Sequence, residues 1–250
     1  MLARILEPMI FRKARRIVFL HEGLRRYYAE RYNTYERSEW KTINNPLNVA
    51  WYRQASAQRA PAKTDGAPCR IVFTGSIYHA QRDSVQRMCD AVNAMPPGAV
   101  RFDIYTHTPK ESVNLVGTGT SNVRLDRRPR DEMPGIQAGA DILFLPLSFH
   151  SRLRPVVETA LPAKYVEYLA SGVPILVHAP PWSWLAQLAR EERVAYVVDQ
   201  DDVNRLREAV RTLASDKALR SALSSRASEV ATRHDHIEIS SQFAHLLERA

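Results

Sequence analysis

The sequence predicts an α/β chain built on a doubly wound, Rossmann-like parallel sheet. Three observations carry this reading. The short runs RIVFT, DILFLPL and PILVH have no polar face, which suits strands covered by helices on both sides. Such runs alternate with segments of helical periodicity from residue 69 to the end. Hydrophobic residues make up 45% and charged residues 25%, ordinary globular usage, and no apolar run reaches the ~18 residues of a membrane span.

Residues 1–16 place apolar and basic side chains at helical spacing, residues 17–20 read as a short buried strand, and residues 22–32 as a helix. A further strand over 41–44 ends at the turn signal Asn45-Pro46. Residues 54–68 lack an apolar stripe and carry Pro61, Gly66 and Pro68, so the expected division is a unit over 1–60, a linker over 61–68 and a second unit over 69–250. In that second unit strands are expected over 70–74, 100–106, 122–125, 141–147, 174–178 and 194–198. Between them helices are expected over 81–94, where Val85, Met88, Cys89 and Val92 form one stripe, and over 131–138, 162–171 and 182–191. Helices over 202–214, 217–232 and 236–248 close the chain. Right-handed crossovers in such a sheet put ligands beyond the carboxyl ends of the strands, just after Thr74, Thr106, Leu125, Leu147 and His178.

The net charge of +8 has a local origin. Residues 1–60 carry 12 lysines and arginines against 5 acids, whereas residues 61–250 carry 23 against 22. The body is near neutral and shows no basic face interleaved with aromatics, so nucleic acid is not an expected partner. The basic first helix is compatible with peripheral contact with an anionic membrane or with an ordinary solvated face. Cys69 and Cys89 are too few for a disulfide framework or a four-cysteine zinc site and point to a reducing compartment. His234 and His236 have no partner cysteines, so no metal is expected.

Two segments carry candidate chemistry. Gly75-Ser76 follows the first strand of the second unit, where a glycine lets backbone amides approach a phosphate, although neither a G-x-G-x-x-G fingerprint nor a Walker motif follows. Residues 161–177, LPAKYVEYLASGVPILV, form a helix opened by Pro162 and stopped by Gly172. Lys164, Glu167 and Ser171 share one of its faces. A lysine beside the exposed amides of a first helical turn suits a bound diphosphate, and a carboxylate one turn later can accept two hydroxyl hydrogen bonds, as from a ribose. The plainer reading is an i,i+3 surface ion pair worth a few tenths of a kcal/mol. His107, Arg127, Arg128, His150, Arg152 and Arg154 follow strands at positions a ligand could reach, while Trp182 and Trp184 are expected to pack a helix onto the sheet.

The stretches IVFTGS, ADILFLPLS, PAKYVEYLASGVPILV and DDVNRLREAV, in this order and spacing, resemble the donor-binding C-terminal half of GT-B glycosyltransferases of the retaining family-four type. RRIVFLHEGLRRYY followed by KTINNPLN resembles a remnant of the other half, which makes the expected protein a truncated enzyme, a fragment or a split partner. The resemblance implies transfer of a sugar from a nucleotide-diphosphate sugar to a glycan or lipid-linked acceptor, as in polysaccharide biosynthesis, with no cofactor and no metal. It implies a donor site built from Gly75, Ser76, Arg82, Arg128, Glu158, Lys164 and Glu167, with Glu167 on the ribose and Lys164 on the phosphates. No catalytic residue is assigned. Many members carry a second glutamate eight positions before the ribose-binding one, and here that position is Thr159: either the loop shifts to present Glu158 or this carboxylate is missing. The alternative to an enzyme is a non-catalytic nucleotide-sugar-binding module or split subunit. The expected location is cytoplasmic, with possible contact with a membrane surface.

Overall fold

The computed structural model describes residues 3–32, 39–59 and 67–248. Most of the expected linker over 61–68 lies outside the described residues. Its six central strands are β3 (Cys69–Thr74), β4 (Val100–Tyr105), β5 (Val123–Asp126), β6 (Ile142–Pro146), β7 (Ile175–His178) and β8 (Ala195–Val198). They form one sheet in the order β5-β4-β3-β6-β7-β8, and every pairing is parallel. The chain moves outward one way from β3 to β5 and then returns to the other side of β3 with β6, which places the switch in strand order between β3 and β6.

Alternation along each strand supplies both faces. Ile71, Phe73, Ile142, Phe144 and Leu176 join an apolar layer with α4 (Arg82–Asn93) and α10 (Val203–Ser215). Val72, Leu143, Leu145, Ile175 and Val177 join the opposite layer with α8 (Lys164–Ser171), α9 (Trp184–Glu192) and α11 (Lys217–Ala231). Each fully buried side chain of this kind stabilises the fold by about 1.5–3 kcal/mol, so two independent layers fix the strand register strongly: a slip by one residue would exchange them. Short helices α5 (Lys110–Val113), α6 (Met133–Ala138) and α7 (Arg154–Glu158) sit in the connections. Helix α8 begins at Lys164, two residues after Pro162, and stops at Gly172.

The first 60 residues contribute α1 (Ala3–Lys13), β1 (Arg16–Phe19), α2 (Glu22–Arg31), β2 (Glu39–Thr42) and α3 (Val49–Arg59). Strands β1 and β2 pair in parallel over an aromatic cluster of Phe11, Phe19, Tyr28, Tyr32 and Trp40. Residues 54–59, which lack an apolar stripe in the sequence, nevertheless continue α3. That helix buries Val49, Tyr52, Ala55 and Ser56. The stripe follows helical spacing, but two of its four members are small or polar, so a search for apolar periodicity passes over it. Val49 and Tyr52 belong to the same apolar layer as α8 and α11. Leu47 completes the attachment: its amide donates to the His234 carbonyl at 2.8 Å and its carbonyl accepts from the His236 amide at 2.9 Å, leading into α12 (His236–Glu248). No helix among the described residues is long and apolar enough to cross a membrane.

Candidate donor-binding crevice

A crevice of about 330 Å³ opens beyond the carboxyl ends of β3, β4 and β5 and is closed on one side by the first turn of α8. Gly75, Ser76, Arg128, Lys164 and Glu167 line it. Gly75 has φ of +146°, a backbone conformation that favours a residue without Cβ, and its amide donates to the Tyr105 carbonyl at 3.0 Å. Arg128 is held at the rim by Asp126, with Nε donating to the carboxylate at 2.9 Å. Beside it, Arg127 donates to Nδ1 of His107 at 2.9 Å.

Lys164 and Glu167 face each other across one helical turn. The Lys164 ammonium donates to Oε2 of Glu167 at 2.8 Å, and Nε2 of Gln137 reaches the same oxygen at 3.2 Å. Among the described residues Oε1 of Glu167 receives no hydrogen bond. One carboxylate oxygen is thus anchored and the other has its lone pairs free to accept. Beneath the pair lies a buried polar network. Gln137, fully buried on α6, also donates to Oγ1 of Thr74 at 2.9 Å and accepts from the Tyr52 hydroxyl. The Thr74 amide donates to the hydroxyl of Tyr168 at 2.9 Å. Burial raises the pKa of both Tyr52 and Tyr168, and the Glu167 charge adds to the shift, so both phenols keep their protons.

Two sequence candidates lie elsewhere. Arg82, first residue of α4, donates to the carbonyls of Val113 at 3.3 Å and Asn114 at 2.6 Å, and faces a separate opening of about 690 Å³ with His79, Asp83, His150 and Arg152. Glu158 ends α7 and faces a third recess of about 230 Å³, with Arg26 and Glu30 of α2 and with Trp182. Helix α7, not expected from the sequence, ends at Glu158 and sets it in this recess rather than in the crevice with Glu167. Thr159 turns its hydroxyl onto the Pro155 carbonyl at 2.8 Å. Trp184 is buried against His21, Gly23 and Arg26 of the α2 region rather than on the sheet, whereas Trp182 packs on the layer that covers the sheet and lies under the guanidinium of Arg154, 4.7 Å from the ring centroid.

The loop after β6, which lines the second opening, is stapled by side chains. Oδ2 of Asp83 accepts from the amides of Phe149 at 2.9 Å and His150 at 3.0 Å. His150 Nε2 meets Asp201 at 2.6 Å, and Asp201 also holds Arg87 at 2.7 Å. Arg87 first, and His150 after it, hold the Asp201 carboxyl below the usual carboxylate range. His178, at the end of β7, is buried with Nδ1 2.6 Å from the Ser84 hydroxyl, and burial lowers its pKa, so the pair is neutral and closed to substrate. Replacing Asp83 by alanine removes the acceptor of two loop amides, and amide exchange over 148–153 is expected to quicken about fivefold, as a lost hydrogen bond of ~1 kcal/mol implies. Unchanged exchange would mean that the loop is held by other contacts. Among the described residues no group of three or more His, Cys, Asp or Glu side chains is placed to hold a metal.

A family profile described as "Glycosyl transferases group 1" matches residues 68–216. No curated protein matches the chain. Among solved structures, a sucrose-phosphate synthase from Thermosynechococcus elongatus is 15% identical with a TM-score of 0.72, over 98% of this chain and 60% of that one. A UDP-forming alpha,alpha-trehalose-phosphate synthase from Burkholderia vietnamiensis is 12% identical with a TM-score of 0.74, over 99% and 63%. Anabaena Alr3699/HepE in complex with UDP-glucose is 15% identical with a TM-score of 0.73, over 99% and 67%. At these identities the likeness is one of fold. The chain spans about three fifths of the length of the first two.

Proposed function

The chain belongs to the group 1 glycosyl transferases and has the Rossmann-like fold of GT-B enzymes, and from this premise we propose that it binds a nucleotide-diphosphate sugar in the crevice beside α8 and serves sugar transfer to a glycan or lipid-linked acceptor. The observation that carries the reading is the Lys164–Glu167 pair, set at the carboxyl edge of the sheet opposite the open backbone of Gly75 and Ser76. Glu167 accepts the ribose hydroxyls through its open oxygen and so orients the donor. Lys164 and the amides at the start of α8 face the diphosphate, whose charge grows as the glycosyl bond breaks, and stabilise it electrostatically. Arg128 borders the base, and no cofactor enters. Arg82 and Glu158 line two neighbouring openings rather than this crevice. Retention at the anomeric carbon follows from the family likeness alone.

The length covered favours a second reading, in which this chain binds donor but needs a further half for turnover. Release of nucleoside diphosphate from a donor by the purified chain supports transfer; binding without release supports the second reading, and no binding overturns both. Peripheral membrane contact is supported by Leu6, Met9 and Ile10, which stand exposed on α1 ahead of Arg12 and Lys13. A cytoplasmic location at such a surface fits a nucleotide-sugar donor.

Lys164→Ala is expected to weaken a nucleoside diphosphate about tenfold while changing the free nucleoside less than about twofold, since a charge-assisted contact to phosphate is worth roughly 1.5 kcal/mol. Calorimetric titration of both ligands checks this. Equal losses would remove Lys164 from the phosphates.

A further inference from the structure

Gln137 has no part in the family resemblance and touches no solvent, yet among the described residues it is the one that joins the crevice carboxylate to both the central sheet and the N-terminal segment. We infer that Gln137 is a positioning residue for Glu167, and that Tyr52 of α3 sets it, so that recognition of the ribose depends on a helix outside the six-stranded unit. The inference rests on the ribose role proposed for Glu167.

The geometry leaves the amide one orientation. Its oxygen accepts from the Tyr52 hydroxyl. Its nitrogen spends both protons, one on Oγ1 of Thr74 at 2.9 Å and one on Oε2 of Glu167 at 3.2 Å. A reversed amide would set oxygen against a carboxylate and leave the Tyr52 proton without an acceptor in a buried site, each a costly fault. Thr74 cannot drift, because its backbone amide is bound to Tyr168 at 2.9 Å. Lys164 alone would pull the carboxylate along a flexible stem. The rigid, buried amide fixes the plane in which Oε2 lies and thereby aims Oε1 into the crevice.

The test compares each nucleotide with its sugar-trimmed form. UDP, GDP and ADP are titrated into the full chain, and the tightest is paired with its 2′,3′-dideoxy counterpart. Wild type is expected to prefer the ribonucleotide by at least about tenfold, the worth of one or two charged hydrogen bonds. Gln137→Met should cut that preference at least about fivefold while the dideoxy affinity moves less than about twofold. Tyr52→Phe, which removes only a hydroxyl, should cut it about two- to threefold in the same sense. A merely structural role would lower both ligands together and leave the ratio alone, and that outcome overturns the inference. Glu167→Ala separates the two claims. If it collapses the ratio and the Gln137 and Tyr52 variants do not, the positioning role is wrong and the ribose site stands. If it leaves the ratio intact, or if none of the three nucleotides binds, the ribose site itself is wrong and the inference falls with it. Should Gln137→Met fail to fold by circular dichroism, Tyr52→Phe decides alone.

Discussion

Glu167→Ala is expected to weaken a ribonucleoside diphosphate by about 10- to 100-fold, or ~1–3 kcal/mol, and to leave the melting temperature within a few degrees of wild type. The two halves of that expectation come from different atoms. Oε2 is engaged by Lys164 at 2.8 Å and by Gln137 at 3.2 Å, and it sets the stability cost. The cost is small because Lys164 is 26% exposed in its side chain and hydrates once freed, while Gln137 keeps Thr74 and Tyr52 and gives up one amide hydrogen bond, worth ~1 kcal/mol. Oε1 sets the binding loss. A carboxylate accepting two hydroxyl hydrogen bonds in a half-enclosed crevice contributes far more than an exposed i,i+3 ion pair, which is worth only ~0.2–0.5 kcal/mol. If the pair were simply a solvated ornament of α8, the substitution would change neither ligand affinity nor the preference for a full ribose. Titration with a nucleoside diphosphate and its dideoxy form decides between these. An unchanged affinity would end the donor-site assignment.

The architecture was open to reading because its strands are apolar on both faces. IVFT, ILFLP and ILVH bury nearly every side chain, and such runs suit only a sheet covered on both sides. Helix α8 was equally plain, with Gly172 at the stop expected and Tyr165 and Leu169 buried on the face away from Lys164 and Glu167. What stayed hidden has three physical causes. Helix α3 packs through Ala55 and Ser56, whose burial leaves no hydrophobic signal. Helix α7 leaves Leu153 and Val156 exposed at its start, so the turn that moves Glu158 into another recess has no periodicity to betray it. The network under Glu167 joins residues 52, 74, 137, 167 and 168, which are brought together only by the order of the strands and the packing of α3 and α6. A buried glutamine looks like any surface glutamine in a sequence. Spacing along a chain could relate Lys164 to Glu167; it could not show that Arg82 and Glu158 open onto different hollows.

Gly23→Ala is expected to destabilise the protein by about 2 kcal/mol, against the usual rule for a glycine inside a helix. That rule favours alanine by up to ~1 kcal/mol, through backbone entropy. Here a Cβ on Gly23 would stand 2.2 Å from Cδ2, 2.3 Å from Cγ and 2.8 Å from Cε3 of Trp184. The indole cannot yield: it is 8% exposed, opens α9 under the cap of Ser183, stacks on His21 and lies beneath Arg26. Overpacking of this kind costs ~1–3 kcal/mol or more, so the clash outweighs the propensity. The strain falls on the seam between α2 and α9, where burial lowers the pKa of His21 and a hydrogen bond from its ring to the Thr159 backbone opposes the shift. The N-terminal lobe should therefore loosen first, giving earlier proteolytic cleavage within residues 1–60 and a shifted tryptophan fluorescence before global unfolding. The same substitution in a Trp184→Leu background should cost less than half as much, since the branched side chain vacates the space the methyl needs. A Gly23→Ala protein that melts higher than wild type, in denaturant and on heating alike, would show that α2 does not rest on Trp184, and the contact that ties the N-terminal lobe beside the Glu158 recess would have to be redrawn.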